Sequence, residues 1–243
     1  PCRRGPVLRL TLIFFIPVLL SCAPAGLPSP PDQGNEPPPS VEIQLGQVYS
    51  RSAQRSPAAS PMRNLMGELA SHTRYSATHA GILPLDDPSI LYLPWIHLTP
   101  GNLSRISLQQ LTDAELRNLG TFLSTTGLLV AQNIGNQETF RGGLFSICRE
   151  ALTRLNLLEG HHWRFVRLRS SHPIYHSVFD FDPDGVDVGL MVGDRLAALM
   201  AGWPLLTDST TLRMGNTEVD GTRFLRFTIN TVVFAASQAS SVP

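Results

Sequence analysis

The stretch TDAELRNLGTFLSTTGLLVA, residues 112–131, carries the strongest fold signal in the sequence. Thr112 is followed three residues later by Glu115, a capping-box pattern that predicts the beginning of a helix. Apolar residues then recur at helical spacing until Gly127 ends the helix. The apolar run Leu128–Ala131 is typical of a central parallel strand that is covered on both faces. The stretch therefore predicts a helix that leads directly into a buried strand.

Segments of the same two kinds alternate along the rest of the chain. The periodicity predicts further helices and strands, with less regular strands beyond Pro173. The helices are residues 60–71 and 143–155, and the strands are residues 41–49, 90–98, 162–168, a segment near 178–181 and the segment 186–200. The last segment, 222–236, suits a helix by its spacing and a strand by its β-branched residues. Strands alternating with helices in this way indicate an α/β protein with a doubly wound sheet.

The first 21 residues have the features of a bacterial secretion signal. Arg3, Arg4 and Arg9 form a basic region before the apolar run Leu10–Leu20, which is too short to span a bilayer. The run ends in Leu-Leu-Ser-Cys, which resembles the lipobox of bacterial lipoproteins, and this predicts a lipid on Cys22. The lipid is expected to hold the exported protein on a membrane.

The segment that follows the lipidation motif is expected to be a tether. Residues 22–40 contain seven prolines among small polar residues, a composition that excludes helix and sheet. A polyproline-like chain extends by about 3.1 Å per residue, so the tether could hold the domain tens of ångströms from the lipid surface. Ala23, rather than aspartate, follows Cys22, which favours the outer membrane or cell surface over inner-membrane retention. Residues 41–237 are predicted to form one α/β domain, and residues 238–243 a tail.

The composition excludes several kinds of chemistry. All 19 basic residues are arginine, so the sequence offers no Schiff-base lysine, P-loop lysine or serine/lysine dyad. Without residues 1–21, 16 arginines stand against 19 acidic residues, so neither a basic patch nor a nucleic-acid partner is expected. Cys148 is the one cysteine outside the leader and lipidation motif, and its position within a predicted helix is typical of a small core residue.

Three stretches resemble a bacterial family known as domain of unknown function 4159. They are Pro94–Asn102 together with the predicted helix and strand of 112–131, Ser171–Asp180 with its His-Pro-hydrophobic-aromatic-His pattern, and Phe224–Ala236. The resemblance implies a flavodoxin-like core, similar to class I glutamine amidotransferases, with a mostly parallel sheet and helices on both faces. It also implies that the ambiguous last segment is the closing helix of the family.

Two departures from the family pattern bear on function. The family carries Thr-Gly-His-Gly after its second strand, where this chain has Thr99-Pro100-Gly101-Asn102. The family carries paired aspartates after its third strand, where this chain has Gln132 and Asn133. Open α/β sheets bind ligands at the carboxyl ends of their strands, so these changes weaken the case for acid-base or metal chemistry there.

The segment 172–182 holds the remaining candidate catalytic groups. His172 and His176 are four residues apart, and Pro173 argues against a helix that would join them. In an extended chain both histidines, Asp180 and Asp182 would lie on one side. One interpretation is a weak metal or sugar site, and the other is that the histidines hydrogen-bond a neighbouring loop.

The leading functional hypothesis is a non-catalytic, lipid-anchored domain of the cell envelope. It would bind a partner protein or a small polar ligand at the carboxyl edge of the sheet, and no cofactor or metal is expected. The ligand-binding candidates are Asn102, Gln132, Asn133, His172 and His176.

Two alternative functions remain open from the sequence. The first is a hydrolase, possible in a metal-assisted form, in which His172 or His176 acts as the base and Asp180 or Asp182 orients it or holds the metal. The second is a structural assembly element of an envelope complex.

Overall fold

The computed structural model describes residues 40–51, 60–98, 111–125, 127–132, 137–183, 187–206, 211–214 and 217–240. The helices are α1 (Ser60–His72), α2 (Asp113–Ser124), α3 (Gln137–Thr153) and α4 (Gly221–Ser240). The strands are β1 (Val41–Tyr49), β2 (Tyr75–Pro84), β3 (Trp95–Leu98), β4 (Leu128–Gln132), β5 (Trp163–Arg167), β6 (Val188–Val192), β7 (Arg195–Ala201), β8 (Thr211–Met214) and β9 (Thr217–Asp220).

Seven of these strands form one mixed sheet in the order β2-β1-β3-β4-β7-β6-β5, and β8 and β9 form a separate antiparallel pair. The neighbours from β2 through β7 are parallel, whereas β6 runs antiparallel to both β7 and β5. The parallel part follows the flavodoxin-like order 2-1-3-4-5, with β7 in the fifth place. The predicted flavodoxin-like, doubly wound and mostly parallel sheet is confirmed.

Helices cover both faces of this sheet, as the resemblance implied. Apolar side chains of α2 and α3 pack with Ile96 of β3 and Leu129 of β4 on one face. Side chains of α1 and α4 pack with Trp95 and Val130 on the other. Successive residues of a strand point to opposite faces, so short apolar runs such as β3 and β4 supply both cores.

The capping box at Thr112 forms as predicted. The Thr112 hydroxyl accepts from the Glu115 amide at 3.2 Å, and the Glu115 carboxylate accepts from the Thr112 amide at 2.9 Å. The other oxygen of this buried carboxylate accepts from the Arg51 amide at 2.9 Å, just beyond β1. The helix start is therefore tied to the carboxyl end of a neighbouring strand.

Several elements differ from the sequence predictions, among them the start of α3 at Gln137 and the unpredicted pair β8 and β9. The first part of segment 90–98 belongs to a 3-10 helix, Pro88–Tyr92, and β3 is the part that pairs. Segment 186–200 forms two strands, β6 and β7, joined at Gly193. Strand β2 was not predicted, and the strand predicted near 178–181 is wrong because no ladder forms there.

The last segment is helix α4, as the family resemblance implied. Among the residues with a described position, no helix combines the length and the apolar composition that a membrane span requires.

Candidate functional site

Three buried polar side chains lie near the carboxyl ends of neighbouring parallel strands. Gln47 of β1 is in register with His97 of β3, and Gln132 ends β4. By strand alternation all three belong to the face covered by α1 and α4. The neighbouring pair β1 and β3 is the switch point of a flavodoxin-like sheet, where such sheets bind ligands.

His97 is the least expected member of this group. Its side chain is 1 % exposed, and its ring lies nearly parallel to that of Trp95, with 6.1 Å between the centroids. Burial lowers the pKa of His97 to about 3, and the nearby Gln132 side chain opposes this effect only in part. No described residue makes a hydrogen bond of normal geometry to either ring nitrogen. His97 is therefore a neutral imidazole at the switch point whose ring nitrogens have no hydrogen-bond partner in the described part of the chain.

Gln132, a predicted ligand residue, has a structural partner in the fold. Its Oε1 accepts from the Leu206 amide at 3.0 Å and also from the Leu205 amide. These bonds fix the chain that follows β7 against the end of β4. Two other predicted ligand residues, Asn102 and Asn133, lie outside the described residues.

His172 caps a short helix instead of lying in an extended chain. Residues Pro173–Tyr175 form a 3-10 helix, and the Ile174 amide donates to Nδ1 of His172 at 3.2 Å. The ring packs against Phe234 of α4, and burial lowers the pKa of His172. Because Nδ1 accepts a hydrogen bond, the neutral ring carries its proton on Nε2.

His176 has acceptors at both ring nitrogens. Its Nδ1 lies 2.9 Å from Oδ1 of Asp180, and its Nε2 lies 2.7 Å from the main-chain oxygen of Ser170. Two acceptors can be satisfied together only when both nitrogens carry protons. The hydrogen bond to Asp180 and then that to Ser170 raise the pKa of His176 above 6.5, which agrees with an imidazolium.

Replacing Asp180 with asparagine is expected to lower the pKa of His176 towards 6.5, as measured by NMR titration. In the wild type the pair of His176 and Asp180 makes its full contribution to the free energy of unfolding below pH 6.5. That contribution is lost as the pH rises through the raised pKa of His176. Asp182→Asn is the matched control, because the Asp182 side chain makes no described contact with His176. An equal effect of the two variants would contradict this assignment.

The predicted alignment of the two histidines with Asp180 and Asp182 on one side of a strand is wrong. His176, Asp180 and Asp182 line one cavity of about 360 Å³. His172 lines a second cavity of about 390 Å³. The two histidines flank the 3-10 helix and line different cavities, and Ser171 borders both cavities.

Sequence reasoning missed the groups that hold this segment in place. The Tyr175 hydroxyl donates to Oδ2 of Asp187 at 2.9 Å, and the Gly202 amide donates to Oδ1 at 2.8 Å. Asp187 is buried, and burial followed by this carboxylate raises the pKa of Tyr175. Tyr175 therefore stays a neutral donor that links the segment to the ends of β6 and β7.

Asn230 of α4 provides a second attachment for the same segment. Its Oδ1 accepts from the amides of Val178 and Phe179 at 3.0 and 2.9 Å. Its Nδ2 donates to the carbonyls of Tyr175 and Phe179 at 3.0 and 2.7 Å. These four bonds take the place of the strand ladder that the sequence predicted near 178–181.

Neither a reactive thiol nor a metal-binding cluster is present among the described residues. Cys148 lies buried in the core, as predicted, and burial raises the pKa of its thiol to about 12. Within the described ranges, no three His, Cys, Asp or Glu side chains lie close enough to hold a metal ion together.

Comparison with known proteins gives one match. Residues 44–235 match the family model described as a domain of unknown function (DUF4159). No curated protein and no solved structure matches the sequence. The matched segment includes all seven strands of the mixed sheet except the first residues of β1, together with the histidine-containing segment and most of α4. The chain belongs to the family of domain of unknown function 4159.

Proposed function

We propose that this protein is a lipid-anchored protein of the cell envelope with a non-catalytic, amidotransferase-like domain. The domain binds a partner protein or a small polar ligand at the carboxyl edge of its sheet. The observation that carries the proposal is the bonding of His176, whose ring nitrogens are both engaged by acceptors, Asp180 and the Ser170 carbonyl.

This bonding bears on catalysis because a general base needs a lone pair. An imidazolium has none, and the raised pKa of His176 extends this state to higher pH. His172 is neutral, but its lone pair on Nδ1 accepts from the Ile174 amide. Both histidines thus serve the local fold, which supports binding over general-base catalysis.

The carboxyl edge supports the location of the binding site. Ligands of open α/β sheets bind where the strand order reverses, which here is beside Gln47 and His97. Buried polar atoms without partners are costly, so the ring nitrogens of His97, which accept or donate no hydrogen bond among the described residues, favour a polar ligand or partner group nearby. His172 offers a further donor, Nε2, at the outer part of this edge.

The lipid anchor is a proposal that rests on the leader and its cysteine. The basic region, the apolar run and the position of Cys22 together support export and acylation. Ala23 supports the outer membrane or cell surface as the destination. Metabolic labelling with a radioactive fatty acid is expected to mark the wild type and not Cys22→Ala, and equal labelling would refute acylation at this cysteine.

The absence of catalysis is tested with purified protein and model esters, amides and glycosides. We expect no turnover above the uncatalysed rate, either for the wild type or for His172→Ala. Turnover that is lost in His172→Ala would overturn the proposal. Cross-linking in cells tests the binding part, and recovery of the domain only within one fixed complex would favour the assembly alternative.

One observation favours the hydrolase alternative enough to test it. His176, Asp180 and Asp182 border the same cavity of about 360 Å³, although the three side chains do not lie close enough together to form a metal site by themselves. A metal bound there would compete with the proton on His176. Metal analysis of the purified protein tests the metal-assisted hydrolase. Stoichiometric zinc, calcium or manganese would favour it, and the absence of all three metals would exclude it.

A further inference from the structure

Three arginines surround the cavity that His172 lines. Arg164 and Arg167 belong to β5, Arg169 follows that strand, and all three are exposed. The cavity has a volume of about 390 Å³, within the range of about 300–1,000 Å³ that is usual for small-molecule sites. It lies beside the carboxyl end of β5, at the outer part of the edge described above.

The positive charge of this cavity is not neutralised by the residues that the structure describes. No ion pair or side-chain hydrogen bond forms at Arg164, Arg167 or Arg169 among them, and no carboxylate lines the cavity. In contrast, Arg149 on α3 pairs with Glu159. Arg154, just after α3, pairs with Glu150. Three arginines that line one concave space, each without an ion pair among the described residues, form a local basic site in a chain of zero net charge.

The other lining groups fit a particular kind of ligand. His172 carries its proton on Nε2, which has no described partner and is a donor without an opposing acceptor. Val166, Met191 and Pro173 add apolar surface to the same cavity. Arginine binds phosphate and carboxylate groups in a bidentate manner, and apolar walls favour the attached carbon framework.

We propose that this cavity binds an anionic small molecule through a phosphate or carboxylate group held by Arg164, Arg167 and Arg169. His172 donates from Nε2 to the same group, and the apolar part of the ligand contacts Val166 and Met191. The inference rests on the proposed binding function, for which it names the ligand class.

The test is calorimetric titration of the purified full chain with inorganic phosphate at low salt. The test variant is Arg164→Gln/Arg167→Gln/Arg169→Gln. The control is Arg117→Gln, which removes an exposed arginine of α2, on the other face of the sheet, that forms no ion pair with a described residue. We expect the triple variant to bind phosphate at least about tenfold more weakly, with no change in the control. Circular dichroism checks that both variants fold, as expected for surface changes.

A second arm identifies the source of the anionic group. The wild type and the triple variant are mixed with phosphatidylcholine vesicles that do or do not contain phosphatidylglycerol. Binding that requires both phosphatidylglycerol and the three arginines supports the inference with a lipid headgroup as the ligand. Binding of phosphate without binding to vesicles supports it with a soluble ligand.

Two outcomes would overturn the inference. One is the absence of binding to both probes, and the other is equal binding by the triple variant and the wild type. In either case a partner that still cross-links to the domain in cells would leave the proposed binding function standing. Turnover by the wild type would instead remove the proposed function, whatever the result with phosphate.

Discussion

Replacing Asn230 with alanine is expected to lower the free energy of unfolding by about 3 kcal/mol or more. Asn230 is fully buried and makes four hydrogen bonds to main-chain groups of Tyr175, Val178 and Phe179. The alanine variant leaves the amides of Val178 and Phe179 and the carbonyl of Phe179 without these partners, whereas the Tyr175 carbonyl keeps its bond from the Phe181 amide at 2.9 Å. Each unsatisfied buried group costs about 1–3 kcal/mol, although access of water to the half-buried positions reduces the total.

The matched control is Asn64→Ala, the same change at an exposed position of helix α1. Its effect is expected to stay within about 0.5 kcal/mol, because a surface substitution removes no buried contact. Urea unfolding followed by circular dichroism measures both variants. Similar midpoints for the two would contradict the role assigned to Asn230.

Replacing Asn230 with alanine is also expected to weaken phosphate binding at the proposed anion site. The four bonds hold the end of the segment that begins with His172 and its 3-10 helix. If phosphate binds as proposed, Asn230→Ala should weaken it even under conditions where the variant remains folded, because the position of His172 depends on that segment.

Gly120→Ala is expected to destabilise the protein by about 1–3 kcal/mol, the usual cost of overpacking. A Cβ atom at Gly120 of α2 would lie 2.4 Å from the main-chain oxygen of Ala151 in α3. The obstacle is backbone and not the end of a flexible side chain, so the two helices must move apart. The movement would open the core that these helices share with β3 and β4.

Gly67→Ala provides a control with the opposite sign. Gly67 lies on the exposed face of α1, and a Cβ atom there would meet no other atom within 4 Å. Alanine favours a helix over glycine by about 0.5–1 kcal/mol, so this variant should be more stable than the wild type. Thermal unfolding of the two variants should therefore shift in opposite directions, and a shift in the same direction would refute the packing argument.

The sequence predicted best where a local signal and burial agreed. Helix α2 and strand β4 follow from the capping box at Thr112 and from four apolar residues in a central strand. Segment 222–236 fitted both the helix period and the strand composition. Its β-branched residues, which favour strands, lie in a helix that is buried along much of its length. There the family resemblance, and not the periodicity, favoured the correct structure.

Strand β2 was missed because it lies at the edge of the sheet and contains a bulge. Its register with β1 shifts between Leu45 and Gly46, opposite the step from His79 to Gly81. Gly81 has a φ of 110°, which suits the irregular backbone there. The bulge interrupts the alternation of inward and outward side chains along β2. Most side chains of β2 are also only half-buried, so the sequence shows no alternating apolar pattern there.

The candidate site was predicted only in part, because its decisive contacts join residues far apart in the chain. Val178 and Phe179 have the composition of a strand, but their amides bond to Asn230, about fifty residues later. Arg164, Arg167 and Arg169 do not share one face of a strand by their spacing. They border one cavity beside the edge strand β5, and the balanced net charge of the sequence gives no sign of this local basic site.

Adjacent residues of helix α4 connect two groups of strands. Every pairing in the sheet except that of β4 with β7 joins strands within residues 41–132 or within residues 163–201. Thr231 accepts from Nε1 of Trp95 in the first group, and Asn230 holds the segment 175–179 that belongs to the second. The two groups of strands therefore precede in the chain the helix that contacts both, and we expect the fold to be complete only once α4 has packed against them.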